Sequence, residues 1–208
     1  HRFDWHPLGG TLVGEAVKDH SGSSVALNAA GTIVAIGARV HDGPPGINSG
    51  HVRVYQLLPN NQWSPMGHDI DGWTAYDRSG YAVALSDSGF IVAIGARWYD
   101  GMDDSKTKCG QVRVYQWNET QQDWNLMGQM VEGMAAGDWL GEAVDLSSSG
   151  TRLVVASPNH GSNHQGQVRV LEYDATMNQW IPIGKAIRGE HAGDHCGISV
   201  SLSSDGTI

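Results

Sequence analysis

Ten histidines stand among the 208 residues, and four of them form two close pairs, His160 with His164 and His191 with His195. Imidazole ligates metals and moves protons near neutral pH, so these four, with Asp194 and Cys196 beside them, are the candidate metal ligands or acid/base groups. A four-residue spacing makes two side chains converge only on a helix. The rest of the chain has no matching pairs, which makes ordinary surface histidines the plainer reading. No Gly-x-Ser-x-Gly, His-Glu-x-x-His or P-loop is present, and no carboxylate pair stands out as an acid/base couple, so no catalytic residue is assigned. No metal or cofactor is expected, and the chain is not expected to be an enzyme.

Eight tryptophans accompany only two phenylalanines. Trp5, Trp63, Trp124 and Trp180 share a period and read as core, whereas Trp73, Trp98, Trp117 and Trp139 fall outside it. Of these, Trp73, Trp98 and Trp139 are the candidate binding residues, as exposed indoles that could stack on a sugar. Asp19, Asp77, Asp138 and Asp194 each precede a recurring glycine by three residues and read as Asx-type turn formers. Arg53, Arg113 and Arg169 alternate with apolar residues. They are read as pairing with a neighbouring unit or lying along its surface with their heads in water. Asn118-Glu119-Thr120 is an N-glycosylation sequon, so Asn118 is a candidate for modification. Cys109 and Cys196 lie two units apart, which argues against an intrachain bridge.

The elements that position these residues are set by a repeat. The periodic tryptophans are 58, 61 and 56 residues apart, and Gly22, Gly80, Gly141 and Gly197 keep the same intervals. Each glycine follows its tryptophan by 17 residues, so that interval tolerates no insertion. A third landmark, Gly-x-Val-Arg-Val at Gly50, Gly110 and Gly166, follows after 28, 30 and 25 residues, which places the variable loop just ahead of it. The units run 5–62, 63–123, 124–179 and, incomplete, 180–208, all within one domain over 1–208. Both ends read as cuts through a longer polypeptide.

Each unit predicts four short strands with no helical period. The first is Val25-Ala26-Leu27 or its equivalents, the second Ile33 to Ile36, the third Val52 to Tyr55, and the fourth begins at the tryptophan. Ile-Val-Ala-Ile is apolar at every position, so both faces of that sheet must be covered. Sheets stacked radially satisfy this, and the expected fold is all-β: four-stranded antiparallel blades making about three and a half units of a larger β-propeller with seven blades.

Gly141-Glu142-Ala143-Val144, Val154 to Pro158 and Gly166-Gln167-Val168-Arg169-Val170 together resemble the FG-GAP repeat of integrin α-type propellers. The sequence is closer still to the Val-Ala-Leu-Ser-x-Asp-Gly, Val-Ala-Ile-Gly-Ala and Gly-x-Val-Arg-Val-Tyr repeats of marine algal and bacterial proteins. That resemblance implies a secreted or cell-surface module. The integrin-type calcium loop is not carried over, because the turns Asn28 to Gly31, Ser86 to Gly89, Ser147 to Gly150 and Ser203 to Gly206 offer at most one carboxylate each.

Thirteen basic against 22 acidic residues give a net charge of −9, which supplies no footprint for nucleic acid. No apolar run approaches the ~18 residues of a bilayer span. The functional expectation is therefore a noncatalytic extracellular module for adhesion or assembly, its partners other proteins or further copies of itself. The alternatives are a glycan-binding, lectin-like propeller and a metal-binding or enzymatic one.

Overall fold

The computed structural model describes residues 6–101 and 106–207. Those residues form three antiparallel sheets with no helix among them. In the first, β1 (Ser21–Leu27), β2 (Ile33–Ala38), β3 (His51–Leu57) and β4 (Trp63–Pro65) lie in chain order, and β5 (Ile70–Asp71) rejoins β3 after a break at Met66-Gly67. The second repeats this with β6 (Ala82–Leu85), β7 (Ile91–Ala96), β8 (Gln111–Asn118), β9 (Asp123–Leu126) and β10 (Val131–Glu132). The third has β11 (Val144–Leu146), β12 (Arg152–Ser157), β13 (Gln167–Asp174) and a single long fourth strand, β14 (Gln179–Arg188). These are propeller blades, and the chain folds as part of a β-propeller.

The doubly apolar second strand behaves as its composition requires. Every residue of β2 and β7 is buried. Their alternate faces serve different neighbours: Ile33 and Ala35 join Val52, Val54 and the second blade's Val92, Ile94 and Trp124, while Val34 and Ile36 pack with Tyr55, Leu12 and Trp63. Each large apolar cluster thus lies between two sheets. First strands also meet across blades, so Val144 and Leu146 are buried, whereas Val25 and Leu27, with a neighbour on one side only, are 63% and 60% exposed.

Two devices set the blade spacing. A Cβ built on Gly95 would sit 2.2 Å from the Gly141 carbonyl oxygen, and one on Gly37 equally close to Gly80, so glycine allows the backbones to touch where the wedge is narrow. At the wide end the tryptophan indoles bridge the gap: Trp124 donates to the Met66 carbonyl at 2.7 Å and Trp180 to the Met127 carbonyl at 2.8 Å. Trp63 makes the corresponding bond to Leu8 at 3.1 Å, while Trp5 lies outside the described residues. The turns after the first strands are linked in series as well, through Ala29 N–H to Asp87 O, Asp87 N–H to Ser148 O and Ser148 N–H to Ser204 O. Val200 to Leu202, expected as a first strand, pairs with no strand among the described residues, and the Leu202 N–H bonds Asp145 Oδ2 at 2.8 Å. No helix among the described residues is long and apolar enough to cross a membrane.

Candidate functional site

The recurring aspartates do structural work. Asp19 accepts from Ala16 N–H, Asp77 from Trp73 and Thr74, Asp138 from Met134 and Ala135, and Asp194 from His191. Each closes the connection leading into its blade. The third-strand arginines reach back to those connections: buried Arg113 donates to the Asp71 carbonyl at 3.0 Å, Ser79 Oγ at 3.1 Å and Tyr115 Oη at 2.7 Å, and Arg169 to the Glu132 carbonyl at 2.9 Å. Arg53 pairs with Glu15 at 3.5 Å.

The same framework leaves a set of positions where backbone geometry repeats but the side chain changes. Two residues before the repeat glycine stand His20, Arg78, Trp139 and His195, all left-handed with φ of 50° to 57°. Two residues before the Gly-x-Val-Arg-Val glycine stand Asn48, Lys108 and His164, with φ of 51° to 54°. Second strands are followed or closed by Arg39, Arg97 and Pro158 at matching positions, and first strands are preceded by Tyr81 and Glu142. All lie on the edge of the blades where the second-to-third-strand loops and the inter-blade connections emerge. A shared backbone with unlike side chains is where a repeat protein can place chemistry without disturbing its scaffold.

On that rim the side chains form one continuous cationic–aromatic cluster. The Arg97 guanidinium lies over Tyr81 at 3.9 Å, Trp139 at 5.0 Å and Trp98 at 5.7 Å. Arg39 covers Tyr81 at 5.1 Å, Arg78 covers Trp98 at 3.5 Å, and the Lys108 ammonium stands 4.8 Å from the same indole. Glu142 accepts from Arg97 at 2.7 Å and from Tyr81 Oη at 3.2 Å. No carboxylate of the described residues pairs with Arg39 or Arg78, and the Nε atoms of Arg39, Arg78 and Arg97 are buried without partners. Burial first, then the charges of Arg97 and Arg39, pull the Arg78 guanidinium below its ordinary pKa. Among the described residues the close cations outnumber the carboxylates paired with them, an imbalance that a bound anion would relieve.

Beside this cluster a cavity of about 360 Å³ is lined by Trp139, Glu142, Pro158, Asn159, His164, His195 and Ile198. The rings of His164 and His195 stack with centroids 5.8 Å apart. His195 Nδ1 lies 3.1 Å from Asn159 Oδ1, and in the tautomer protonated at Nδ1 it donates there and presents Nε2 as the nitrogen with the free lone pair.

Of the four histidines singled out by spacing, the structure brings together two. His160 pairs instead with buried Asp138 at 3.0 Å, and His191 is 81% exposed beside Asp194. Trp98 and Trp139 belong to the rim cluster. Trp73 lies elsewhere, 42% exposed under the Arg113 guanidinium at 4.7 Å. Asn118 ends β8, where its Oδ1 accepts from Thr120 and Gln121 N–H groups and shapes the hairpin. Both cysteines are free, Cys109 buried and Cys196 partly so. Arg39, Arg78, Arg97, Tyr81 and Glu142 escaped the sequence reading. Their signal was there, as departures from the repeat at fixed positions, but attention to what recurs passes over what varies.

No protein-family model matches the chain, and no curated protein matches it. Solved structures do. A proposed 6-phosphogluconolactonase of Bacteroides fragilis superposes with a TM-score of 0.54 at 14% identity, covering 84% of this chain and 40% of that one. The periplasmic gluconolactonase of Pseudomonas aeruginosa gives 0.50 at 15%, covering 79% and 39%. Sqt1 of Saccharomyces cerevisiae gives 0.51 at 10%, covering 85% and 37%. The likeness is one of fold. The chain spans about two fifths of the length of the structures it matches.

These findings correct several expectations. The FG-GAP, integrin-type resemblance is not supported: no family model matches, and the similar structures are lactonase-named propellers and Sqt1. The motifs that suggested it have a general cause, since glycines at the narrow end and Val-Ala-Ile strands follow from close blade packing. The secreted adhesion module, and the noncatalytic assignment made from the absence of catalytic motifs, are withdrawn as well, because the similar propellers include proteins described as lactonases.

Proposed function

We propose that this chain supplies part of the active face of an enzymatic propeller that hydrolyses a small anionic ester or lactone. The observation that carries the reading is the rim cluster: Arg39, Arg78, Arg97 and Lys108 crowd around Tyr81, Trp98 and Trp139, with Glu142 bound to Arg97. Cations held over aromatic faces fit a carboxylate or phosphate, which guanidinium binds through two parallel hydrogen bonds. The lactonase descriptions of similar propellers support a cyclic sugar ester as the substrate class.

His195 is the group suited to the chemistry. Its Nε2 takes a proton from a water that adds to the ester carbonyl, giving a tetrahedral oxyanion. Collapse of that intermediate breaks the acyl carbon–oxygen bond, and the departing ring oxygen receives the proton from His195 as the hydroxy acid forms. Arg97, fixed by Glu142 and Tyr81, supplies positive charge to the oxyanion or to the substrate's own anionic group. The flanking Trp139 gives the sugar ring an apolar wall.

The test is hydrolysis of glucono-δ-lactone and its 6-phosphate by the chain, followed in a pH-stat against spontaneous opening. Acceleration with a preference for the phosphorylated lactone is expected, and His195→Ala should lower kcat by about 100-fold. A rate equal to the spontaneous one for both lactones would refute the reading.

A further inference from the structure

A second group of potential ligands lies in the first blade, and nothing in the lactone reading uses it. Glu15, His41 and His51 each present a ligand atom, and these atoms lie within 4.8 Å of one another. Glu15 comes from the connection into the blade, His41 from the loop after β2 and His51 from the first position of β3. His41 Nε2 is 3.9 Å from Glu15 Oε2, and the His41 and His51 rings stack with centroids 3.9 Å apart.

Two details go beyond proximity. The His51 side chain is only 1% exposed, yet neither ring nitrogen has a hydrogen-bond partner. A buried imidazole left unsatisfied has a cost that ligation would remove. His41 Nδ1, in turn, is held by Asp19 Oδ2 at 3.0 Å, and Asp19 is itself fixed by the Ala16 N–H. A carboxylate on Nδ1 turns Nε2 outward toward Glu15, as in carboxylate–histidine–metal arrangements. His51 Nδ1 leans toward a second carboxylate, Asp69, at 3.8 Å.

The repeat supplies an internal control. The positions of His41 and His51 are occupied by Tyr99 and Gln111 in the second blade and by His160 and Gln167 in the third, and the position of Glu15 by Trp73 and Met134. The blade therefore folds without this trio.

We propose that Glu15, His41 and His51 bind a divalent transition metal ion, with zinc the chemistry they match best: two imidazoles, one carboxylate and an open fourth position. Two ligand atoms on one tetrahedral zinc stand about 3.4 Å apart, given bonds of about 2.0–2.1 Å. The stacked rings, 24° apart in plane, point their lone pairs side by side, so closing on an ion takes rotation of the exposed Glu15 away from Arg53 and a turn of the His41 ring out of its stack on His51. The ion would pin the incoming chain segment to β2 and β3. It needs neither His195 nor the arginine rim, so its success or failure is separate from that of the lactone reading.

The experiment is calorimetric titration of the chelator-stripped chain with ZnCl₂, repeated with CoCl₂ to read the ligand field in the visible spectrum. One ion per chain, intense tetrahedral cobalt bands and a zinc-dependent rise in melting temperature are expected. His51→Gln, the residue both other blades carry, and Glu15→Gln, an exposed change that leaves the core alone, should each weaken binding by at least about 100-fold, and Asp19→Asn by about 10- to 100-fold. Equal affinity in wild type and Glu15→Gln, or octahedral cobalt spectra without intensity, would overturn the proposal.

Discussion

At Cys109 the consequence of burial is chemical. The side chain sits beneath the second-to-third-strand loop with its Sγ 3.5 Å from the Tyr99 carbonyl oxygen. Burial, reinforced by the nearby Glu132 charge, pushes its thiol up to about 11. At pH 8 the thiolate population is then about 100-fold below that of a thiol of ordinary pKa 9.0. Iodoacetamide should modify Cys196 readily and leave Cys109 untouched until the protein is unfolded in urea, with mass spectrometry reporting the order. Equal labelling of both in native buffer would contradict the placement. The same scale shows why the rim was hard to foresee. Arg39 and Arg97 look like ordinary charged residues at strand ends, and only the approach of Tyr81 and Trp139 from other segments, beside Trp98, makes them a cluster.

At the scale of the element, the blade was legible because two independent signals agreed. Ile-Val-Ala-Ile demanded cover on both faces, and β2 and β7 have it. The fixed interval from tryptophan to glycine implied rigidity, and Trp124 and Trp180 do bridge back to the residue that follows the preceding blade's fourth strand, Met66 and Met127. Gly95→Ala tests the narrow end: its Cβ would fall 2.2 Å from Gly141 O, with backbone and no flexible side chain to yield. The blades must separate locally, and a loss of several kcal/mol in urea unfolding is expected. Trp180→Ala tests the wide end by removing a side chain 2% exposed, at a cost of about 3–5 kcal/mol. A substitution at exposed Met177 supplies the comparison, expected within about 0.5 kcal/mol of wild type.

For the whole molecule, the repeat arranges three sheets so that equivalent loops open along one edge. Chemistry then depends on what each blade places at an equivalent backbone position, and the positions that fix the fold are silent about it. The period made the architecture readable. By the same logic it concealed the site, because Asp19, Asp77, Asp138 and Asp194, which recur, serve turns, while Arg78, Trp139 and His195, which share one conformation and differ in type, line the rim. Histidine spacing does not say which rings meet: His164 and His195 stack across a loop and an inter-blade connection, while His160 is held by Asp138.

On the proposed reading the rim gathers positive charge from two blades, Arg39 from the first and Arg78, Arg97 and Lys108 from the second, to hold an anion. Calorimetric titration with gluconate 6-phosphate, against glucose as the uncharged control, measures it most directly. We predict a dissociation constant below about 1 mM that weakens as salt rises, a loss of about tenfold or more in Arg97→Met and Arg39→Met, and no heat with glucose. The same affinity in wild type and both variants, or no binding of the phosphorylated sugar acid at low salt, would contradict the account.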